Sequence, residues 1–119
     1  MLRLAENITN IFIVCRYTDM RRSIDGLSAI IAQNYKLEPS SGDLFLFCGK
    51  RSDRLKALLW DGNGFLLLYK RLDNGSFKRP RNGNEARRIE KEQYGLLMQG
   101  LSIDQLKAIQ KVTKPRNIL

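Results

Sequence analysis

No histidine occurs among the 119 residues, which removes the commonest general base and zinc ligand, and with them any Ser/His or Cys/His nucleophilic pair. Cysteine is scarce: Cys15 and Cys48 each lie in an apolar run, as expected of buried free thiols in a reducing compartment rather than of a disulfide. No apolar run approaches the roughly 20 residues of a membrane span. The start, Met1-Leu2-Arg3-Leu4-Ala5-Glu6-Asn7, lacks the basic and then apolar segments of a secretion signal. The expected location is therefore cytoplasmic, without a membrane partner. A Gly-rich loop followed by a lysine and a helix is missing as well, Gly62-Asn63-Gly64 notwithstanding, so no cofactor is expected.

Charge is plentiful and of one sign, with a net of +9. Residues 1–49 carry five basic and five acidic side chains, residues 50–88 eleven against four, and residues 89–119 five against three. An excess of +7 in one third of the chain is how an electrostatic footprint for phosphates looks. The candidate DNA contacts are Lys50, Arg51, Arg54, Lys56, Lys70, Arg71, Lys78, Arg79 and Arg81.

Ile11 to Cys15 is a β-branched and aromatic run of strand length. Thr18 or Asp19 then suits a helix cap, and Met20, Ile24, Leu27, Ile31 and Tyr35 form one apolar stripe on a helix reaching about residue 35. Gly26 within it costs about 1 kcal/mol relative to alanine. After the turn cluster Pro39-Ser40-Ser41-Gly42 come three apolar runs, Leu44–Cys48, Leu55–Trp60 and Phe65–Leu72, separated by short polar breaks that include two Asn-Gly pairs. Asn-Gly tolerates positive φ and favours tight hairpins, so these runs read as an antiparallel meander. Phe77 is a candidate start of a further short strand, and Pro80–Asn84 reads as an exposed loop. Glu92–Gln99 reads as a short helix stopped by Gly100, and Ser102 with Gln105 forms a capping box for a last helix to about Lys111. A chain of this length accommodates one core. The expected fold is an α+β domain over residues 1–112, an antiparallel meander with one longer helix packed on it and short C-terminal helices, followed by a flexible tail over 113–119.

The acids Asp19, Asp25, Asp53 and Asp61 are each explained by a cap, a helix surface or a turn, so neither a metal site nor catalytic residues are expected. Trp60, Phe65, Tyr69 and Phe77 interleave with Lys56, Lys70, Arg71, Lys78 and Arg79, a pattern suited to a sheet that stacks bases or follows a phosphate backbone. For Trp60 and Phe65 a core position is favoured, with alternation placing the basic side chains on an opposite, wet face.

Two stretches together resemble one known family. Cys15-Arg16-Tyr17-Thr18-Asp19-Met20-Arg21-Arg22-Ser23-Ile24-Asp25-Gly26-Leu27 is similar to its first signature. Gly42-Asp43-Leu44-Phe45-Leu46-Phe47, Asp53-Arg54-Leu55-Lys56, Trp60-Asp61-Gly62-Asn63-Gly64-Phe65 and Tyr69-Lys70-Arg71-Leu72 are similar to its second. The chain thus resembles TnpB, the second open reading frame product of the bacterial insertion-sequence family numbered sixty-six, which is distinct from the RNA-guided nuclease sharing that name. The motif positions are Thr18, Asp19, Met20, Arg21, Asp25, Gly26, Trp60, Asp61, Gly62 and Tyr69. Arg16 stands where that pattern commonly has glycine, and Cys48-Gly49 where it has Arg-Asn. The resemblance implies an accessory protein aiding transposition of an element whose separate transposase carries the catalytic acids. Charge and this context together lead to the expectation of a non-enzymatic DNA-binding protein. The alternatives are an interaction module docking on the transposase and a cryptic metal-dependent nuclease.

Overall fold

A computed structural model describes residues 8–80 and 83–103. The chain runs β1 (Ile11–Val14), α1 (Ile24–Ala29), β2 (Leu44–Cys48), β3 (Arg54–Trp60), β4 (Phe65–Arg71), β5 (Ala86–Ile89) and α2 (Lys91–Met98), with α1 continuing into a π-helical turn at Ile30–Asn34. The five strands form one sheet in the order β4-β3-β2-β1-β5. β2, β3 and β4 make the antiparallel meander, with Phe45 opposite Leu58 and Leu58 opposite Leu67. β1 lies parallel to β2, as a strand–helix–strand crossover allows, and antiparallel to β5. The sheet is therefore mixed, with the meander occupying one side of it.

Strand alternation sorts the core into two layers. On one face Ile11, Ile13, Leu44, Leu46, Leu55, Ala57 and Ile89 pack with Tyr94, Leu97 and Met98 of α2. On the other, Val14, Phe45, Phe47 and Leu58 pack with Leu27 and Ile31 of the α1 segment, flanked by Met20, Ile24 and Tyr35. β2 is buried along its whole length, which is why it reads as an unbroken apolar run rather than as an alternation. Among the described residues no helix is long and apolar enough to cross a membrane.

The longer helix begins later than its stripe suggests. Asp19 accepts hydrogen bonds from the Arg21 backbone N–H at 3.0 Å and from its guanidinium at 2.8 Å, so its carboxylate closes a local turn instead of capping. The helix starts after Ser23. Met20 precedes it and still reaches the core by seating on Gly49, where an added Cβ would come within 2.5 Å of Met20 Cγ. Gly26 is not a close-packing site: its Cβ would meet Arg22 Cβ at 3.4 Å, an ordinary contact. Gly26→Ala is therefore expected to stabilise the protein by about 0.5–1 kcal/mol through helix propensity, read as a higher urea midpoint at unchanged slope.

The hairpin between β3 and β4 uses four residues, Asp61–Gly64, closed by Asp61 N–H donating to the Gly64 carbonyl at 2.8 Å. Its left-handed residue is Gly62, at φ +81°, rather than Asn63. Phe77 starts no strand; it is buried, and its N–H donates to the Ser52 carbonyl. α2 carries a capping box between Glu90 and Gln93 and stops at Gly100, whose φ is +80°. Lys70 Nζ donates to the Met98 carbonyl at 3.1 Å, a cation at the helix end where the carbonyl charge is negative. The expected last helix after Ser102 and the expected tail lie outside the described residues apart from its first positions.

Both thiols are free and buried. Burial pushes Cys48 from 9.0 up to about 12 and Tyr94 from 10.0 up to about 12. Folding thus favours their neutral forms, so their contribution to stability is complete below about pH 9 and is lost as pH rises toward 12. Thermal melts between about pH 8 and about pH 11.5 are expected to show a falling midpoint across that window. A flat profile would contradict the burial of these two groups.

Candidate nucleic-acid interface

Cations gather where β3 begins and β4 ends. Arg54, Lys56, Leu58 and Trp60 alternate along one face of β3, opposite Arg71, Tyr69, Leu67 and Phe65 on β4. This is the face that α1 covers. Along it the pairs pass from aromatic through aliphatic to basic. At one end Trp60 and Phe65 meet edge to face at 4.9 Å; at the other Arg54 and Arg71 face each other. The expected separation of aromatics and cations onto opposite faces is thus replaced by separation along one face. The reason is that α1 and α2 pack on opposite faces over the middle of the sheet, so the cations stay in water where β3 begins and β4 ends.

Like charges directly opposite on a sheet oppose each other. The nearest relief is Asp53, with Oδ1 3.8 Å from Arg54 Nε and Oδ2 3.9 Å from Arg51 Nη2. One carboxylate therefore serves two arginines, and neither its Oδ1 nor Arg54 Nε has a hydrogen-bond partner. Lys56 Nζ donates to the Arg22 carbonyl at 2.8 Å and lies 5.9 Å from the centre of the half-exposed Tyr69 ring. This draws the chain entering α1 over the patch and brings Arg22 to its edge. Lys50 and Arg51 project from the turn between β2 and β3.

Five of the candidate contacts, Lys50, Arg51, Arg54, Lys56 and Arg71, thus share one end of the sheet. The others do not join them. Lys70 is turned to the opposite face and capped on α2. Lys78 is exposed and donates to Ser76 Oγ at 2.8 Å. Arg79 is half-buried, donating to the carbonyls of Cys15 at 2.8 Å and Pro80 at 3.1 Å. Arg81 lies outside the described residues.

The motif positions divide into four places. Thr18 is buried and its N–H donates to the Cys48 carbonyl at 2.9 Å, pinning the β1–α1 connection to β2. Asp19 is held well below the usual carboxylate range, at about 2, by its hydrogen bonds from Arg21. Asp25 and Gly26 are in α1, Asp25 exposed in its first turn. Trp60, Asp61 and Gly62 build the β3–β4 hairpin, and Tyr69 belongs to the basic end. Asp53 and Asp61 sit at opposite ends of β3, and among the described residues no group of three or more acids or cysteines converges on a metal-sized site. Arg22 was not among the candidate DNA contacts, although the Arg21-Arg22 pair facing away from the apolar stripe left it a functional reading, and the Lys56 hydrogen bond now brings it to the edge of the patch.

A family model described as "IS66 Orf2 like protein" matches residues 9–108. Among curated proteins the chain is similar to two from Sinorhizobium fredii (strain NBRC 101917 / NGR234). "Uncharacterized protein y4jC" is 35% identical over 97 residues, 82% of this chain and 83% of the relative. "Uncharacterized protein y4hO" is 35% identical over 101 residues, 85% and 87% of the two chains. No solved structure matches the chain.

Proposed function

From the premise that the chain belongs to the family of IS66 Orf2-like proteins, which suggests an insertion-sequence accessory protein, we propose that it binds DNA without catalysing a reaction. The observation that carries this reading is the opposed pair Arg54 and Arg71 with, among the described residues, one carboxylate paired beside them. Such a pair costs stability unless an anion lies over it, and a phosphate backbone supplies anions at regular spacing. Lys50, Arg51 and Lys56 widen the patch, and Tyr69 adds an exposed ring. Contacts of this kind hold a duplex without reading bases, so binding should vary little with sequence. No catalytic role falls to any side chain in this reading; the cutting and joining belong to the separate transposase.

Five phosphates neutralised predict a slope of log affinity against log salt near minus 4.5 on duplex DNA. The test is a band-shift with element ends and with random DNA at several salt concentrations. A slope near zero, or no shift at low salt, refutes the reading. Retention of the protein by purified transposase without DNA assigns the face to protein docking instead, and magnesium-dependent nicking that follows the protein through purification makes it a nuclease.

A further inference from the structure

Beyond the end of β1 the fold leaves a polar cleft of about 600 Å³, within the roughly 300–1,000 Å³ typical of small-ligand sites. It lies at the carboxyl end of the strand that begins the parallel crossover, where α/β units commonly bind ligands. Arg16, Tyr17 and Arg22 come from the β1–α1 connection, Asn34 and Tyr35 from the end of the π turn, and Asn84 from the approach to β5.

Two features mark it as built. The first is a fixed aromatic platform. Tyr17 is 57% exposed, and the Arg79 guanidinium covers one of its faces at 4.0 Å, leaving the other open. Arg79 is itself held by its hydrogen bonds to the Cys15 and Pro80 carbonyls. The connection bearing Tyr17 is anchored at both ends, by Cys15 N–H to the Glu85 carbonyl at 3.0 Å and by Thr18 N–H to the Cys48 carbonyl at 2.9 Å. The ring is therefore presented without an ordering cost on binding. The second feature is an excess of positive charge. Among the described residues no acid lies within ion-pair distance of the Arg16 or Arg22 guanidinium; Asp19, the one carboxylate lining the cleft, pairs with Arg21 and feels Arg22 only as the weakest of its influences.

An open ring face beside two arginines that make no ion pair among the described residues, and two side-chain amides, is complementary to a flat heteroaromatic base joined to a phosphate. We propose that the cleft takes an unpaired nucleotide of a DNA strand, its base stacked on Tyr17 and its phosphate against Arg16 and Arg22. This rests on the DNA reading above only for the identity of the polymer. A paired base within a duplex cannot reach a concave site of this kind, because it must first leave the stack. The cleft therefore distinguishes frayed or single-stranded ends from intact duplex, which the basic end of β3 and β4 does not.

The experiment is fluorescence anisotropy of the full chain with a fluorescein-labelled oligothymidylate and, separately, with a blunt duplex. Tyr17→Ala is expected to weaken oligothymidylate binding about tenfold, Tyr17→Phe to restore it, and neither to change duplex binding. Arg22→Gln is expected to lower the single-strand salt slope by about 0.7. Oligothymidylate binding by Tyr17→Ala equal to wild type overturns the inference, even if duplex binding stands. Loss of duplex binding alone, with Tyr17-dependent oligothymidylate binding intact, refutes the earlier reading and leaves this one.

Discussion

Glutamine at Lys50, Arg51 and Arg71 together is expected to lower duplex affinity a few hundred-fold at about 0.1 M salt without lowering the melting temperature, which should rise slightly because the Arg54–Arg71 repulsion is relieved. All three side chains are exposed, and surface changes away from packed features stay near ±0.5 kcal/mol. Each phosphate contact contributes roughly 0.9 to the salt slope, or about eightfold per contact at about 0.1 M relative to 1 M. Three lost contacts should flatten the slope by about 2.7 and compound to a few hundred-fold. Titrations of wild type and triple variant at matched salt give both numbers. An unchanged slope would remove these residues from the interface, wherever else DNA might bind.

Phe45→Ala is expected to cost about 3–5 kcal/mol, a large share of the stability of a domain this size. Phe45 is fully buried on the central strand β2. Its ring stacks on Phe12 of β1 at 5.6 Å and belongs to the layer containing Leu27 and Ile31. Truncation leaves a void bounded by strands on both sides and a helix above, and none of these can collapse without breaking sheet pairing. Chemical denaturation reads the loss directly; a change below about 1 kcal/mol would mean the α1 layer is not packed as described.

The meander was legible because its apolar runs are separated by breaks that only turns tolerate, and α2 because Gly100 ends it. β5 was not. Ala86-Arg87-Arg88-Ile89 carries two adjacent arginines and no alternation, and it pairs on one side only, with β1. Its strand state comes from the edge that β1 offers, a tertiary cause. The start of α1 was misplaced because Asp19 has two uses for its carboxylate, and a following arginine decided between them. In the candidate site, pooling charge over residues 50–88 marked a region but could not tell Lys56 from Lys70, neighbours in type whose faces are opposite. The same pooling gave no weight to Arg16 and Arg22, since the first 49 residues balance to zero.

The position of β1 has a consequence for synthesis. It leaves the ribosome first among the described strands, yet one neighbour, β2, begins at Leu44 and the other, β5, only at Ala86. At roughly 5–20 residues per second, Ile11–Val14 waits roughly 4–15 s after its own translation before its second edge is covered. During that interval a β-branched, aromatic segment has an open edge, the arrangement most prone to pairing with another chain. The β2–β4 meander needs only local hairpins, so it can assemble first and hold one side of β1 while β5 is still being made. The two arginines in β5 keep that edge strand from pairing with another copy of itself.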